Sequence, residues 1–216
     1  MKKKLTLLLA LVLSICFYGI GYTATITYEF TGLDSSNGTL SSPYVMEVYG
    51  MTVEITATVD SASGTLHQNT ENGMGVSGGN GNNRVGNGEA LIFDFGSSLV
   101  TLFSTELTFH ADFTEGSSFD LYADSIFVDS FTFESNSGLT IDFSSYDIQA
   151  SVFEFLGTET SEDADSGFRI RELTVDYESS AVPVPGAIWL LGGGLIGIIG
   201  MRRRNYNSHE KSLRRS

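Results

Sequence analysis

Few side chains in this sequence are arranged to do chemistry. Gly75-Val76-Ser77-Gly78-Gly79 matches the G-x-S-x-G pattern in which a serine is raised on a strand-to-helix turn as a nucleophile. The turn needs a helix after the serine, and Asn80-Gly81-Asn82-Asn83 cannot start one, so Ser77 is not expected to be catalytic. Residues 73–88 hold seven glycines and no lysine, which excludes a phosphate-binding P-loop and reads as a long mobile loop. Residues 78–85 approximate one calcium-binding β-roll nonapeptide, but such sites form only between stacked copies. Glu162, Asp163 and Asp165 gather the oxygens a hard cation takes, without EF-hand spacing, since the twelfth position from Asp163 is Thr174. A structural calcium stays open there; a solvated acidic loop is the plainer expectation, and no cofactor is assigned. His67, in a loop, and His110, on the polar face of a strand, are isolated and read as surface groups. Asn37-Gly38-Thr39 reads chiefly as a turn. No catalytic set assembles, and no enzyme is expected.

Charge narrows the partners. Lys plus Arg is 12 and Asp plus Glu is 26, a net charge of −14 that hides a segregation. Residues 25–181 hold only Arg84, Arg169 and Arg171 against 25 carboxylates, a formal charge of −22. A body so acidic repels phosphate backbones and excludes ordinary nucleic-acid binding. With that many acids some pair falls at glycosidase spacing by chance, so carboxylate pairing carries no weight. The one cysteine, Cys16, lies in an expected leader, which leaves the body without a disulfide or a thiol nucleophile.

The elements that must carry these residues are strands. Met51, Val53, Ile55, Ala57 and Val59 alternate with Thr52, Glu54, Thr56 and Thr58, the period of a half-buried strand. Similar runs at 25–30, 90–95, 106–111, 118–122, 125–133, 151–156 and 168–177 are separated by Gly, Asn, Asp and Ser clusters. Fourteen Phe and six Tyr supply bulky core material in this body, and Pro43 is its only proline. The expected fold is all-β: an antiparallel β-sandwich, jelly-roll-like, over 25–181. Phe168 and Ile170 share one parity while Leu173, Val175 and Tyr177 share the other, so a bulge is expected near Arg171 and Glu172.

The ends read as addresses. Lys2, Lys3 and Lys4 precede an apolar run over 5–20 and small residues at Gly19, Gly21 and Ala24, the order of a secretory signal peptide over 1–24. Cleavage after Gly21 or after Ala24 both remain open. At the other end Val182, Pro183, Val184, Pro185 and Gly186 lead into the uncharged stretch 187–201, then Arg202, Arg203 and Arg204. Fifteen helical residues cover roughly 22 Å, a minimal transmembrane helix. The arginines form the membrane stop and stay cytoplasmic with a basic tail over 205–216, which leaves the acidic body outside the cytoplasm. Gly193 and Gly197 form a GxxxG pair suited to close helix contact.

The proline motif, the glycine-bearing helix with Trp189, and the arginine cluster over 182–204 resemble the C-terminal sorting signal of the PEP-CTERM class, closest to its VPLPA-type variant. Two features depart from the founding pattern: Val184 stands where it has Glu, and twelve residues follow the arginines. The resemblance implies recognition of residues 182–186 by an exosortase, a multi-spanning membrane protease and transpeptidase of Gram-negative envelopes commonly found with exopolysaccharide production. The expected partners are thus a membrane, an exosortase-type protease and, as an alternative role for the body, exopolysaccharide. The expected function is an exported cell-envelope protein with a structural or binding sandwich. A secreted carbohydrate-binding module is the alternative, with Tyr44, Tyr49, Tyr122 or Tyr146 as sugar platforms, and a glycan-active enzyme stands behind it.

Overall fold

The computed structural model describes residues 22–33, 37–77, 83–109, 118–132, 138–158 and 167–179. The leader up to Gly21, His110, the acidic stretch 162–165 and the whole sorting signal, Val182 to Gly186 and Arg202 to Arg204 included, lie outside them. Thr23–Glu178 forms one compact unit, and among the described residues every regular element is a strand.

Two antiparallel sheets make up this unit. One holds β1 (Tyr22–Glu29), β2 (Gly38–Thr39), β6 (Thr65–Asn69), β7 (Gly73–Ser77), β9 (Val100–Phe109), β12 (Leu139–Asp142), β13 (Gln149–Ala150) and β15 (Phe168–Ser179). The other holds β3 (Tyr44–Val48), β4 (Met51–Val59), β5 (Ala62–Ser63), β8 (Glu89–Asp94), β10 (Ser118–Ala123), β11 (Ile126–Thr132) and β14 (Val152–Gly157). The first has the order β12-β9-β15-β7-β6-β2, with β1 also on β15 and β13 on β9; the second runs β11-β10-β14-β8-β4-β3, with β5 on β4.

Aromatic rings close the sandwich, because a body without disulfides must find its cohesion in buried apolar surface. Tyr28, Phe30, Phe93, Phe119, Phe143, Phe153, Phe155 and Phe168 are fully buried, each contributing roughly 1.5–3 kcal/mol. Ring contacts join the sheets: Phe119 on β10 meets Phe168 on β15 at 5.3 Å between centroids, Phe131 on β11 meets Phe143 after β12 at 5.3 Å, Phe30 after β1 meets Phe93 on β8 at 5.5 Å, and Tyr28 meets Phe95 at 5.9 Å. Tyr28 turns its hydroxyl to the Met51 carbonyl, 3.1 Å away, which satisfies the one polar atom of that ring. Burial pushes its phenol up to about 12.

The alternation over 51–59 forms β4 with Met51, Val53, Ile55 and Ala57 buried. The switch of parity in β15 is absorbed where expected: its register against β9 shifts between Ile170 and Glu172, so Phe168, Ile170, Leu173 and Val175 are all buried. The mobile loop expected over 73–88 is corrected in its first part. Gly73–Ser77 is a buried strand, and its glycines are there because backbone passes where a side chain would stand. A Cβ on Gly73, whose φ is 94°, would overlap the Ile170 carbonyl, and one on Gly75 would meet Asn83 and Arg84 backbone. His67, expected in a loop, lies half-buried on β6, where burial and the nearby Arg169 charge lower its pKa.

Thr25 donates to Asp176 at 2.6 Å, the Thr27 and Thr174 hydroxyls meet at 3.0 Å, and the Phe30 N–H donates to the Arg171 carbonyl at 2.8 Å. The first and last strands therefore run antiparallel side by side, and continuing this register sets Thr23 beside Glu178. Both ends of the unit leave from one pole.

Candidate functional site

The outward side chains of the β3-bearing sheet form a continuous cross-strand row. The register puts Phe127 opposite Tyr122, Tyr122 opposite Glu154, Glu154 opposite Ile92, and Ile92 opposite Thr56. These residues alternate with Leu121, Phe153, Phe155, Leu91 and Phe93, all of which face the core, so the row faces solvent by the pleat of the strands. Phe127 is 51% exposed and meets Tyr122 edge-on, with centroids 5.7 Å apart. Beside them Asp120 accepts the Ser130 hydroxyl at 2.6 Å.

Glu154 is the chemically distinctive member. It stands between an aromatic and an aliphatic neighbour, and partial burial raises its carboxyl above the ordinary range. A sheet face with an aromatic pair, an aliphatic flank and carboxylates can stack against the apolar face of a flat polar ring while accepting hydrogen bonds from its hydroxyls.

The four candidate sugar-platform tyrosines separate. Tyr44 is removed: with Met46 and Val48 it packs on the core. Tyr49 is 92% exposed in the β3–β4 turn, far from the row's centre. Tyr146 is 43% exposed at the sandwich edge, where its hydroxyl donates to Asp129 at 3.2 Å and that bond raises its pKa. Tyr122 alone sits within the row. Glu154 was missed, although its place between Phe153 and Phe155 marks it as outward-facing.

The pole opposite the chain ends gathers the body's three arginines. Arg84 and Arg169 are buried, Arg169 donating from Nε to the Asn83 carbonyl at 3.0 Å. Burial and the neighbouring Arg84 charge pull Arg169 down to about 10, which leaves it charged at neutral pH. Fully buried Glu89 accepts the Gly86 N–H at 2.7 Å and pins the 83–88 segment. Arg171 pairs with Glu106 at 3.1 Å on a part-exposed surface, worth under about 1 kcal/mol. These contacts organise the pole structurally. Ser77 ends antiparallel strand β7 opposite Thr65. Among the described residues no group of three or more His, Cys, Asp or Glu could hold a metal, and no helix is long and apolar enough to cross a membrane.

No family model matches the chain, and no curated protein matches it. Among solved structures it is similar to the CBM51-2 and INT domains of ZmpB from Clostridium perfringens, at 11% identity and a TM-score of 0.32. The alignment covers 75% of this chain and 39% of that one.

The state of Glu154 yields a pH prediction. Its folded pKa lies above its unfolded value, so the folded protein binds the extra proton and stability falls as pH rises through the carboxylate range. Glu154→Gln should raise the melting temperature at about pH 7, with the gain vanishing below about pH 4. Thermal denaturation followed by circular dichroism at both pH values checks this; an equal shift at both would contradict it.

Proposed function

We propose that this chain is an exported cell-envelope protein whose sandwich serves as a non-enzymatic structural or binding module. A leader over 1–24 delivers it, and the signal over 182–204 holds it and presents Val182, Pro183, Val184, Pro185 and Gly186 to an exosortase-type protease. The observation that carries the reading is the pairing of β1 with β15. A body threaded out leader-first and held by its tail stays beside one bilayer, and adjacent first and last strands let both of its ends face that bilayer without a long return segment. The strand bounds also favour leader cleavage after Gly21, since cleavage after Ala24 would remove the first three residues of β1.

The jelly-roll-like winding belongs to the same reading. β8 pairs with β14 and β9 with β15, while β8–β9 and β14–β15 each step from one sheet to the other. A two-stranded ribbon thus wraps around the core, the device from which jelly rolls are built.

The test of sorting is the mature C-terminus. Intact-mass spectrometry of protein from cells possessing the protease should find residues 202–216 absent, and from cells lacking it should find them attached. Their retention in both would leave plain anchoring and sink the processing.

The outward row of Phe127, Tyr122 and Glu154 favours a second reading, in which the body binds exopolysaccharide. At −22 the body repels acidic polymers, so the glycan would be neutral. Tyr122→Ala should weaken binding to a neutral polysaccharide roughly tenfold by isothermal titration calorimetry. Absence of binding by the unaltered protein to a panel of neutral glycans would remove this reading.

A further inference from the structure

We propose that the pole from which both chain ends leave rests on the bilayer surface, with Tyr49, Leu99 and Ile126 as its contact points and zwitterionic lipid as the partner. The inference deepens the reading above and rests on the tail being an anchor.

The strand register brings the three residues to one pole. Val100 lies opposite Tyr177 near the end of β15, so Leu99 stands at the level where the tail departs. Asp94 ends β8 opposite Val152, and the Asp124 N–H donates to the Val152 carbonyl at 2.9 Å, which puts the β10–β11 turn and Ile126 at the same level. Glu54 pairs with Asp94 and Val48 with Met51, so the Tyr49-Gly50 turn projects beyond that level. Tyr49 is 92%, Ile126 70% and Leu99 51% exposed. The β10–β11 and β3–β4 turns stand four strand spacings apart, about 19 Å, with Leu99 in the intervening β8–β9 connection. Three separated contacts can settle a body on a plane.

Turn chemistry adds an independent sign. Tyr49 has φ 51° and Gly50 φ 80°, a pair of positive values that hairpin turns usually give to Asn-Gly or Gly-Gly. A bulky aromatic there works against the backbone preference, which points to a role for the exposed ring. Tyrosine is also a side chain enriched at membrane–water interfaces.

Tether length selects the occupant. From Ser179 at the end of β15 to the start of the apolar stretch at Ala187 is eight residues, at most roughly 28 Å of extended chain. The twelve residues of β15 span about 40 Å, so this pole can meet the bilayer while the arginine pole is held away. Two acids of the turns are engaged by backbone donors: Asp94 accepts the Gly96 N–H at 2.7 Å, and Asp124 accepts the Ser151 and Val152 N–H groups at 3.1 and 2.9 Å. The acidity of the whole body disfavours an anionic surface, which leaves a zwitterionic one.

The test uses the chain without its leader but with its C-terminal tail unprocessed, in phosphatidylcholine vesicles. A fluorescent probe is attached at Ile126→Cys or Leu99→Cys, and at Thr132→Cys at the opposite end of β11 as reference. Vesicle flotation is read first, then quenching by brominated lipid. The expected result is co-flotation with quenching at 126 and 99 at least about twofold stronger than at 132, abolished at 126 when Tyr49 and Leu99 are both changed to Ser. Co-flotation with equal quenching at all three sites overturns the contact while leaving the anchor intact. Failure to co-float overturns the anchor and the contact with it. Stronger quenching under phosphatidylglycerol than under phosphatidylcholine would contradict the zwitterionic partner.

Discussion

The structure depends on rings from two sheets meeting across one seam. With no disulfide available to the body, Phe119 against Phe168, Phe30 against Phe93 and Tyr28 against Phe95 hold the sheets together. The seam spans the elements most distant in sequence, since Tyr28 and Phe30 belong to the first strand and its exit and Phe168 to the last. Seating those two strands on the same core fixes both ends of the Thr23–Glu178 unit at one pole.

Charge is arranged around that seam with a consistent polarity. Apart from the buried Glu89, the carboxylates among the described residues spread over the surface, where water solvates them cheaply. The body's few cations instead gather at the pole away from the chain ends, where Arg84 and Arg169 are buried against the backbone of the glycine-bearing segment. The pole of the chain ends is the less basic and carries the exposed Tyr49, Leu99 and Ile126. Between the poles, the outward row around Tyr122 and Glu154 offers the mixed aromatic and carboxylate surface that a neutral ring could use.

Much of the fold was legible because its central strands have one wet and one dry face. The strands at 51–59, 118–123 and 152–157 declare themselves by alternation, and the bulge at Arg171 and Glu172 shows in a change of parity. β7 was not legible, since its glycines answer to neighbouring backbone rather than to turn geometry. Short strands such as β6 and β12 hold too few apolar residues for a period to emerge. At the site level, Tyr122 and Glu154 are legible as the outward members of alternating runs, whereas Tyr44 alternates with exposed Val45 and Glu47 and so belongs on the half-buried side with Met46 and Val48. The convergence of three turns on one pole was beyond reach, because it arises only when sheet order and register are combined. The proposed sorting signal over 182–204 is the reverse case, resting wholly on the order of parts in the sequence.

The body closes by pairing its first strand with its last, and a disulfide across that pair tests this most directly. Thr25 and Asp176 already touch side chain to side chain at 2.6 Å, close enough for a bridge after substitution. The full chain carrying Thr25→Cys and Asp176→Cys should be recovered from cells as an intramolecular disulfide, visible by a mobility shift on non-reducing gels and a loss of free thiol. Such a bond needs both the strand pairing and an oxidising compartment outside the cytoplasm. Two free thiols in protein isolated under thiol-blocking conditions would contradict the account.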